Sequence, residues 1–295
     1  MIPKKFDYHA PASVDEAIRL LGENEEAKIL AGGQSLLPIM KLRLAAPTAV
    51  VDISRLPGLS YVRDMGAHLA VGALTTHDTL GSDKSVKERF SLITDAVTRI
   101  GDQQVRNLGT IGGSACHADP AGDIPTALLA ADAQFVIEGK RGKRVVPARD
   151  FFVDLFTTAV SHDEMLIEVR LPYFPQRSAS AYMKHCVREG GFAIAMVGVV
   201  ATLEDGNSCR DSRIGVGAAG PTPIRAVSAE RYLKGKTLDE TTIAEAADRA
   251  VDEADPPSDV HGSREYRMEA IKVLTKRSLR LASERAGVLG MRVSE

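Results

Sequence analysis

Lys28-Ile29-Leu30-Ala31-Gly32-Gly33-Gln34-Ser35-Leu36-Leu37-Pro38 reads as a strand that stops at two glycines and resumes as a helix. Lys28-Ile29-Leu30-Ala31 is short and apolar, Gly32-Gly33 breaks it, and Ser35 is placed to cap a helix over 36–44. Pro38 falls in the first turn of that helix, where a missing N–H costs little. Upstream the chain opens as a strand and then a helix. Ser13-Val14-Asp15-Glu16 has the form of a capping box, Ala17, Ile18, Leu20 and Leu21 follow at helical spacing, and Gly22 is the expected stop. Downstream, Ala49-Val50-Val51-Asp52-Ile53 is another buried strand. Together these segments predict a β-α-β unit and an α/β start to the chain.

Further along, Leu69–Ala73 reads as a strand, Thr75-Thr76 as a cap for a short helix, and 90–100 as an amphipathic helix. A long glycine-rich loop is expected from Gly101 to Gly122, and loops of that length inside a domain are usually functional. Asp123-Ile124-Pro125 opens a helix ending at Ala131. A hairpin over 134–147 turns at Gly139-Lys140-Arg141-Gly142, and 166–171 is a further strand. Pro172-Tyr173-Phe174-Pro175 marks a boundary. Beyond it, strands near 181–187, 192–203 and 212–219 and helices near 226–234, 241–254 and 264–285 predict a small domain with a meander sheet. The fold class is therefore α+β.

The 295 residues are many for one core and predict two or three domains. With 44% apolar residues, 26% charged residues and a net charge of −2, nothing calls for a nucleic-acid or membrane partner. The opening Met1-Ile2-Pro3-Lys4-Lys5-Phe6-Asp7 has no apolar leader, and no stretch approaches the ~18 apolar residues of a span, so a cytoplasmic protein is expected. Cys116, Cys186 and Cys209 are widely spaced and lack a C-x-x-C pair. They argue against a disulfide framework, an iron–sulfur cluster or any other metal site in this chain. Redox chemistry here would need a bound organic cofactor.

A second glycine motif, Thr110-Ile111-Gly112-Gly113-Ser114, resembles the first in placing adjacent glycines beside small hydroxyl residues. Glycine permits positive φ and close approach of a ligand to the backbone. Successive N–H groups in such a turn can form a nest for an anion, with Ser35 and either Thr110 or Ser114 adding hydroxyls. Two such loops suit one diphosphate. The alternative is two tight turns that need glycine for geometry only. Neither motif fits the dinucleotide fingerprint G-x-G-x-x-G, and neither is a P-loop.

The pair, taken with its surroundings, resembles the two FAD signatures of the medium, flavin-binding subunit of the molybdenum hydroxylases, the carbon monoxide dehydrogenase and xanthine dehydrogenase family. Gln103-Gln104-Val105-Arg106-Asn107 before the second motif and Ala118-Asp119-Pro120-Ala121-Gly122-Asp123 after it agree. So do Arg188-Glu189-Gly190-Gly191-Phe192-Ala193 and Pro257-Ser258-Asp259-Val260-His261-Gly262-Ser263-Arg264-Glu265-Tyr266-Arg267. The similarity runs from about Phe6 to the final helix, with several motifs in the same order.

The resemblance implies a flavin-binding fold of the vanillyl-alcohol oxidase type over 1–175, with subdomains of about 1–57 and 58–175, and a C-terminal α+β domain over 176–295. It implies that FAD is held by Lys28, Ile29, Leu30, Ala31, Gly32, Gly33, Gln34 and Ser35, and by Thr110, Ile111, Gly112, Gly113 and Ser114. Asp123 would accept from a ribose hydroxyl or the adenine amine. Leu166 would lie under the flavin region, Lys184 near the ring and Phe192 over it. Ile100 stands where the animal enzymes often carry an aromatic. No catalytic acid or base is implied. A large molybdopterin-binding subunit would oxidise the substrate, a small subunit with two [2Fe–2S] clusters would relay electrons, and the whole would form a dimer of heterotrimers. Carbon monoxide, aldehyde, purine and N-heteroaromatic substrates all remain open, as does the terminal acceptor. Two other readings of the residues are a self-contained flavin oxidase or reductase, and an assembly module that has lost its flavin.

Overall fold

The computed structural model describes residues 2–204 and 208–287. The chain divides into two compact units, one of 1–80, 102–118 and 133–171, the other of 81–101, 119–132 and 172–295.

In the first unit, Asp7–His9 and Lys28–Leu30 flank Ala49–Asp52 in a three-stranded sheet, and both pairings are parallel. Parallel neighbours need a crossover, and the helix Leu36–Lys41 lies in the connection from Lys28–Leu30 to Ala49–Asp52. This is the β-α-β unit expected from the sequence. The helix Val14–Glu23 begins as predicted: Ser13 Oγ accepts from the Glu16 N–H at 3.1 Å, and Glu16 reaches back to the Ala12 N–H at 2.7 Å. It buries Ala17, Ile18 and Leu21 in a cluster with Val51, Ile53 and Leu74. Each such aliphatic side chain, fully buried, contributes about 1.5–3 kcal/mol. A five-stranded sheet follows, in the order Val62–Asp64, His68–Gly72, Glu164–Pro172, Gln134–Gly139, Gly142–Pro147. Its last two strands are the predicted hairpin, with Gly139 opposite Gly142.

The second unit contains an antiparallel meander of Ser178–Cys186, Ala193–Leu203, Cys209–Gly217 and Ile224–Arg225. All residues of Ala193–Leu203 are buried, as in a strand covered on both faces. Val197, Val199 and Ala201 join a cluster with Ile271, Leu274 and Leu279 of the long helix Arg264–Arg285. The helix Asp123–Ala130 packs on Ala193–Leu203 and Cys209–Gly217, with Gly198 against Ala130. Arg267 is buried in this unit. It donates to the Ile194 carbonyl at 2.9 Å and to both carboxylate oxygens of Asp259 at 2.7 Å, which ties Asp259-Val260-His261 to the start of the long helix. Among the described residues no helix is long and apolar enough to cross a membrane.

Several local expectations are corrected. The stretch 101–122 is not one loop but holds the helices Gln103–Leu108 and Ile111–His117, each started by a side-chain cap, Asp102 to the Val105 N–H and Thr110 to the Gly113 N–H. Gly101 and Gly109 around the first helix and Gly112-Gly113 within the second masked the caps. Gly22 does not end its helix, which runs on to Glu23 and stops at Asn24. Ser35 makes no capping bond. Of the Thr75-Thr76 pair only Thr76 caps; the Thr75 hydroxyl is spent on the Tyr61 backbone. The helix expected over 90–100 is shorter, Ser91–Thr98, and Phe90 before it is core.

Candidate cofactor site

The first glycine motif is a turn between the strand Lys28–Leu30 and the helix Leu36–Lys41, and its two glycines are required for different reasons. A Cβ on Gly32 would lie 1.9 Å from the Leu108 carbonyl oxygen, so only a bare backbone fits there. Gly33 has φ +72°, the left-handed region that side chains disfavour. Among the described residues, no group accepts a hydrogen bond from the N–H of Gly32, Gly33, Gln34 or Ser35. Residues 32–35 are half-buried, and backbone donors withdrawn from water are rarely left unpaired. A run of them through a left-handed turn is the geometry of an anion nest, with the Ser35 hydroxyl beside it making no cap bond.

The second motif is built differently. Thr110 is the N-cap of the helix Ile111–His117, and Ile111, Gly112 and Gly113 are its first turn. Its N–H groups are spent inside the protein: Ile111 on the Thr75 carbonyl, Gly112 on the Ala73 carbonyl, Gly113 on the Thr110 hydroxyl and Ser114 on the Thr110 carbonyl. The expected second nest of free N–H groups is therefore absent. What the motif offers a ligand is surface close to the first turn. A methyl on Gly113 would lie 3.8 Å from the Ala31 Cβ, and among the described residues the Ser114 hydroxyl bonds only the His77 imidazole. Leu166, also in the first unit, is buried in the five-stranded sheet opposite Ile137.

In the second unit, Asp123 opens the helix Asp123–Ala130 and is buried. Its Oδ2 meets Lys184 Nζ at 2.7 Å, and its Oδ1 accepts from the Tyr182 hydroxyl at 2.8 Å. Tyr182 and Lys184 are two apart on Ser178–Cys186, hence on one face. They sit opposite Gly198 and Met196, the register that turns them toward the helix Asp123–Ala130. Burial pushes the Asp123 carboxyl up, while the Lys184 ammonium and the Tyr182 hydroxyl pull it back. Burial and then Asp123 push the Tyr182 phenol well up. Both Asp123 oxygens are thus engaged by protein donors, and the expected acceptor for a ribose or adenine is a structural partner first. Lys184 gives a second proton to the Arg99 carbonyl at 3.3 Å, leaving one for a ligand. A polar cleft of about 270 Å³ lined by Arg99, Lys184, His185, Cys186, Glu189 and Gly190 opens there. Ile100 follows the helix Ser91–Thr98 and bonds back to Val97. Phe192 precedes the strand Ala193–Leu203 and is 76% exposed.

Tyr182 and His77 were not among the sequence candidates. The two-residue spacing from Lys184 carried the signal for Tyr182; nothing local carried it for His77. Among the described residues, no group of three or more His, Cys, Asp or Glu side chains is placed to hold a metal ion.

Comparison with known proteins adds a second line of observation. The family described as FAD binding domain in molybdopterin dehydrogenase matches residues 4–174, and the CO dehydrogenase flavoprotein C-terminal domain matches residues 180–282. The chain is 39% identical to the 6-hydroxypseudooxynicotine dehydrogenase complex subunit alpha of Paenarthrobacter nicotinovorans, over 97% of each chain. It is 40% identical to the carbon monoxide dehydrogenase medium chain of Hydrogenophaga pseudoflava, over 96% of this chain and 98% of that one. A solved structure of the carbon monoxide dehydrogenase from that organism, lacking the Mo-pyranopterin moiety, superposes with a TM-score of 0.94, covering 97% of this chain and 99% of the other.

Proposed function

This chain belongs to the family of FAD-binding medium subunits of molybdenum-containing dehydrogenases, and from that premise we propose that it holds the FAD diphosphate on the turn at Gly32-Gly33. The observation that carries the placement is the run of N–H groups from Gly32 to Ser35 with no acceptor among the described residues. The diphosphate supplies the missing acceptors, and a dense set of backbone donors replaces the lysine that a P-loop would use. Lys28, Ile29, Leu30 and Ala31 lead the chain into this turn. Thr110, Ile111, Gly112 and Gly113 form the floor beside it, and Ser114 adds a hydroxyl. Asp123 fixes Lys184, whose remaining N–H and positive charge would favour the reduced, anionic form of a flavin held near it. Leu166, Ile100 and Phe192 are the apolar residues that would lie near the flavin, Phe192 as the cover of the ring.

Bound in this way, FAD supplies the capacity to take up electrons one at a time and release them singly or in pairs. The chain is an oxidoreductase subunit with an electron-transfer role, working in a multi-subunit complex with large and small partners. In this reading the large subunit carries molybdopterin and the small one two [2Fe–2S] clusters, in a dimer of heterotrimers. The substrate is chosen in the large subunit. The relatives' names, medium chain and complex subunit alpha, favour this over a self-contained flavin oxidase. The FAD-binding part extends to about residue 175 and the C-terminal domain over 176–295. A cytoplasmic location accords with three free thiols.

The purified chain is expected to show flavin absorption. Gly33→Val is expected to abolish it, because valine resists positive φ and its side chain would meet Leu37 and Leu30. Full flavin occupancy in that variant would overturn the placement of the diphosphate.

A further inference from the structure

His77 opens the helix His77–Ser82 and is only 2% exposed. Its Nε2 lies 3.0 Å from the Ser114 hydroxyl, and its buried Nδ1 has no hydrogen-bond partner among the described residues. Burial, reinforced by the Arg106 charge, lowers the imidazole to about 4. The ring is therefore neutral at ordinary pH and carries a single N–H.

The two neutral tautomers are unequal. With hydrogen on Nδ1, a buried N–H is orphaned, and Ser114 must give its only proton to Nε2. With hydrogen on Nε2, the ring donates to Ser114 Oγ, and only a lone pair at Nδ1 goes unmet. Buried donors are orphaned less often than acceptors are under-satisfied, so the second tautomer is the stable one. The Ser114 hydroxyl then keeps its own proton. Its only hydrogen bond among the described residues is the one to His77. Ser114 also follows Gly113, where an added Cβ would lie 3.8 Å from the Ala31 Cβ, so the two glycine motifs are neighbours in the fold.

We propose that His77 is a positioning residue which, by donating from Nε2 to Ser114, commits the Ser114 hydroxyl as a hydrogen-bond donor to the diphosphate of the flavin nucleotide. This rests on the placement of the diphosphate at the Gly32-Gly33 turn. A hydrogen bond from a neutral donor to a charged phosphate is worth about tenfold or more in affinity, and Ser114 delivers it only in the orientation that His77 sets.

The test uses the full chain, stripped of flavin and titrated with FAD, with ADP as the diphosphate probe and with riboflavin as a probe without phosphate. Ser114→Ala and His77→Leu are each expected to weaken FAD and ADP about tenfold and to leave riboflavin unchanged. The double variant should be no weaker than Ser114→Ala, since both remove one donor. His77→Gln, whose side-chain amide can donate as Nε2 does, should recover most of the loss. The proposal is overturned if Ser114→Ala binds ADP like the parent, or if the two single losses multiply in the double variant. Should His77→Leu not fold, ¹⁵N-histidine NMR of the unaltered chain decides: an N–H on Nε2 supports the proposal and one on Nδ1 overturns it. The Gly33→Val control separates the two levels. If it loses FAD while Ser114→Ala keeps ADP, the role of His77 fails and the diphosphate placement stands; if it keeps FAD, both fail.

Discussion

Lys184 is nearly sealed from water, with a side chain 3% exposed, and its charge is tolerated because Asp123 lies 2.7 Å away. Such a pair contributes little against a well-packed apolar replacement, but removing one partner strands the other charge. Lys184→Met is therefore expected to cost about 3 kcal/mol in denaturant unfolding of the full chain. Adding Asp123→Leu should restore at least half of that loss. Equal, additive losses would show that the two residues are not coupled. At Ser35 and Thr110 the same residue class does two jobs. Thr110 Oγ1 accepts from the Gly113 N–H at 3.0 Å, while the Ser35 hydroxyl makes no such bond, and this difference could not be read from two matching motifs.

The helix Ile111–His117 carries two glycines, Gly112 and Gly113, in its first turn, and glycine is disfavoured in a helix by about 1 kcal/mol relative to alanine. Thr110 offsets part of this with its cap, and Gly112 is there because a Cβ would meet Ala73 at 2.7 Å. Thr110→Val should lower stability by about 1 kcal/mol, Thr110→Ser should be close to neutral, and Ser35→Ala should leave stability unchanged. Thermal unfolding of the three variants checks the set; a large loss at Ser35 would contradict the uncapped geometry. The strand Ser178–Cys186 shows the other local logic. Its period of two puts Tyr182 and Lys184 on one face, and pairing with Ala193–Leu203 turns that face toward Asp123.

At the scale of the whole molecule, stability should depend on acid through Glu164. Two hydrogen bonds from Arg144, at 2.9 and 2.6 Å, hold its carboxyl down at about 2. The unfolded chain binds a proton at this residue near its ordinary value, so the stabilisation is complete above that value and is lost as pH falls toward about 2. Unfolding free energy should drop across this window, and Glu164→Gln should flatten the drop; an unchanged slope would remove Glu164 from the account. The β-α-β start, the 134–147 hairpin, the meander and the final helix were legible in the sequence, because hydrophobic period, caps and turn residues are local signals. So was the flavin family, because its motifs recur in order along the chain. The functions of the two glycine motifs were not separable, since whether an N–H is spent or spare depends on which distant carbonyl lies opposite it. Only the tertiary structure brought Leu108 against Gly32, Thr75 and Ala73 against the second motif, and Tyr182 and Lys184 against Asp123. The sequence alone determined what kind of protein this is. The packing decided which of its groups remain free to hold a ligand, because hydrogen bonds between distant segments are fixed by packing rather than by local pattern.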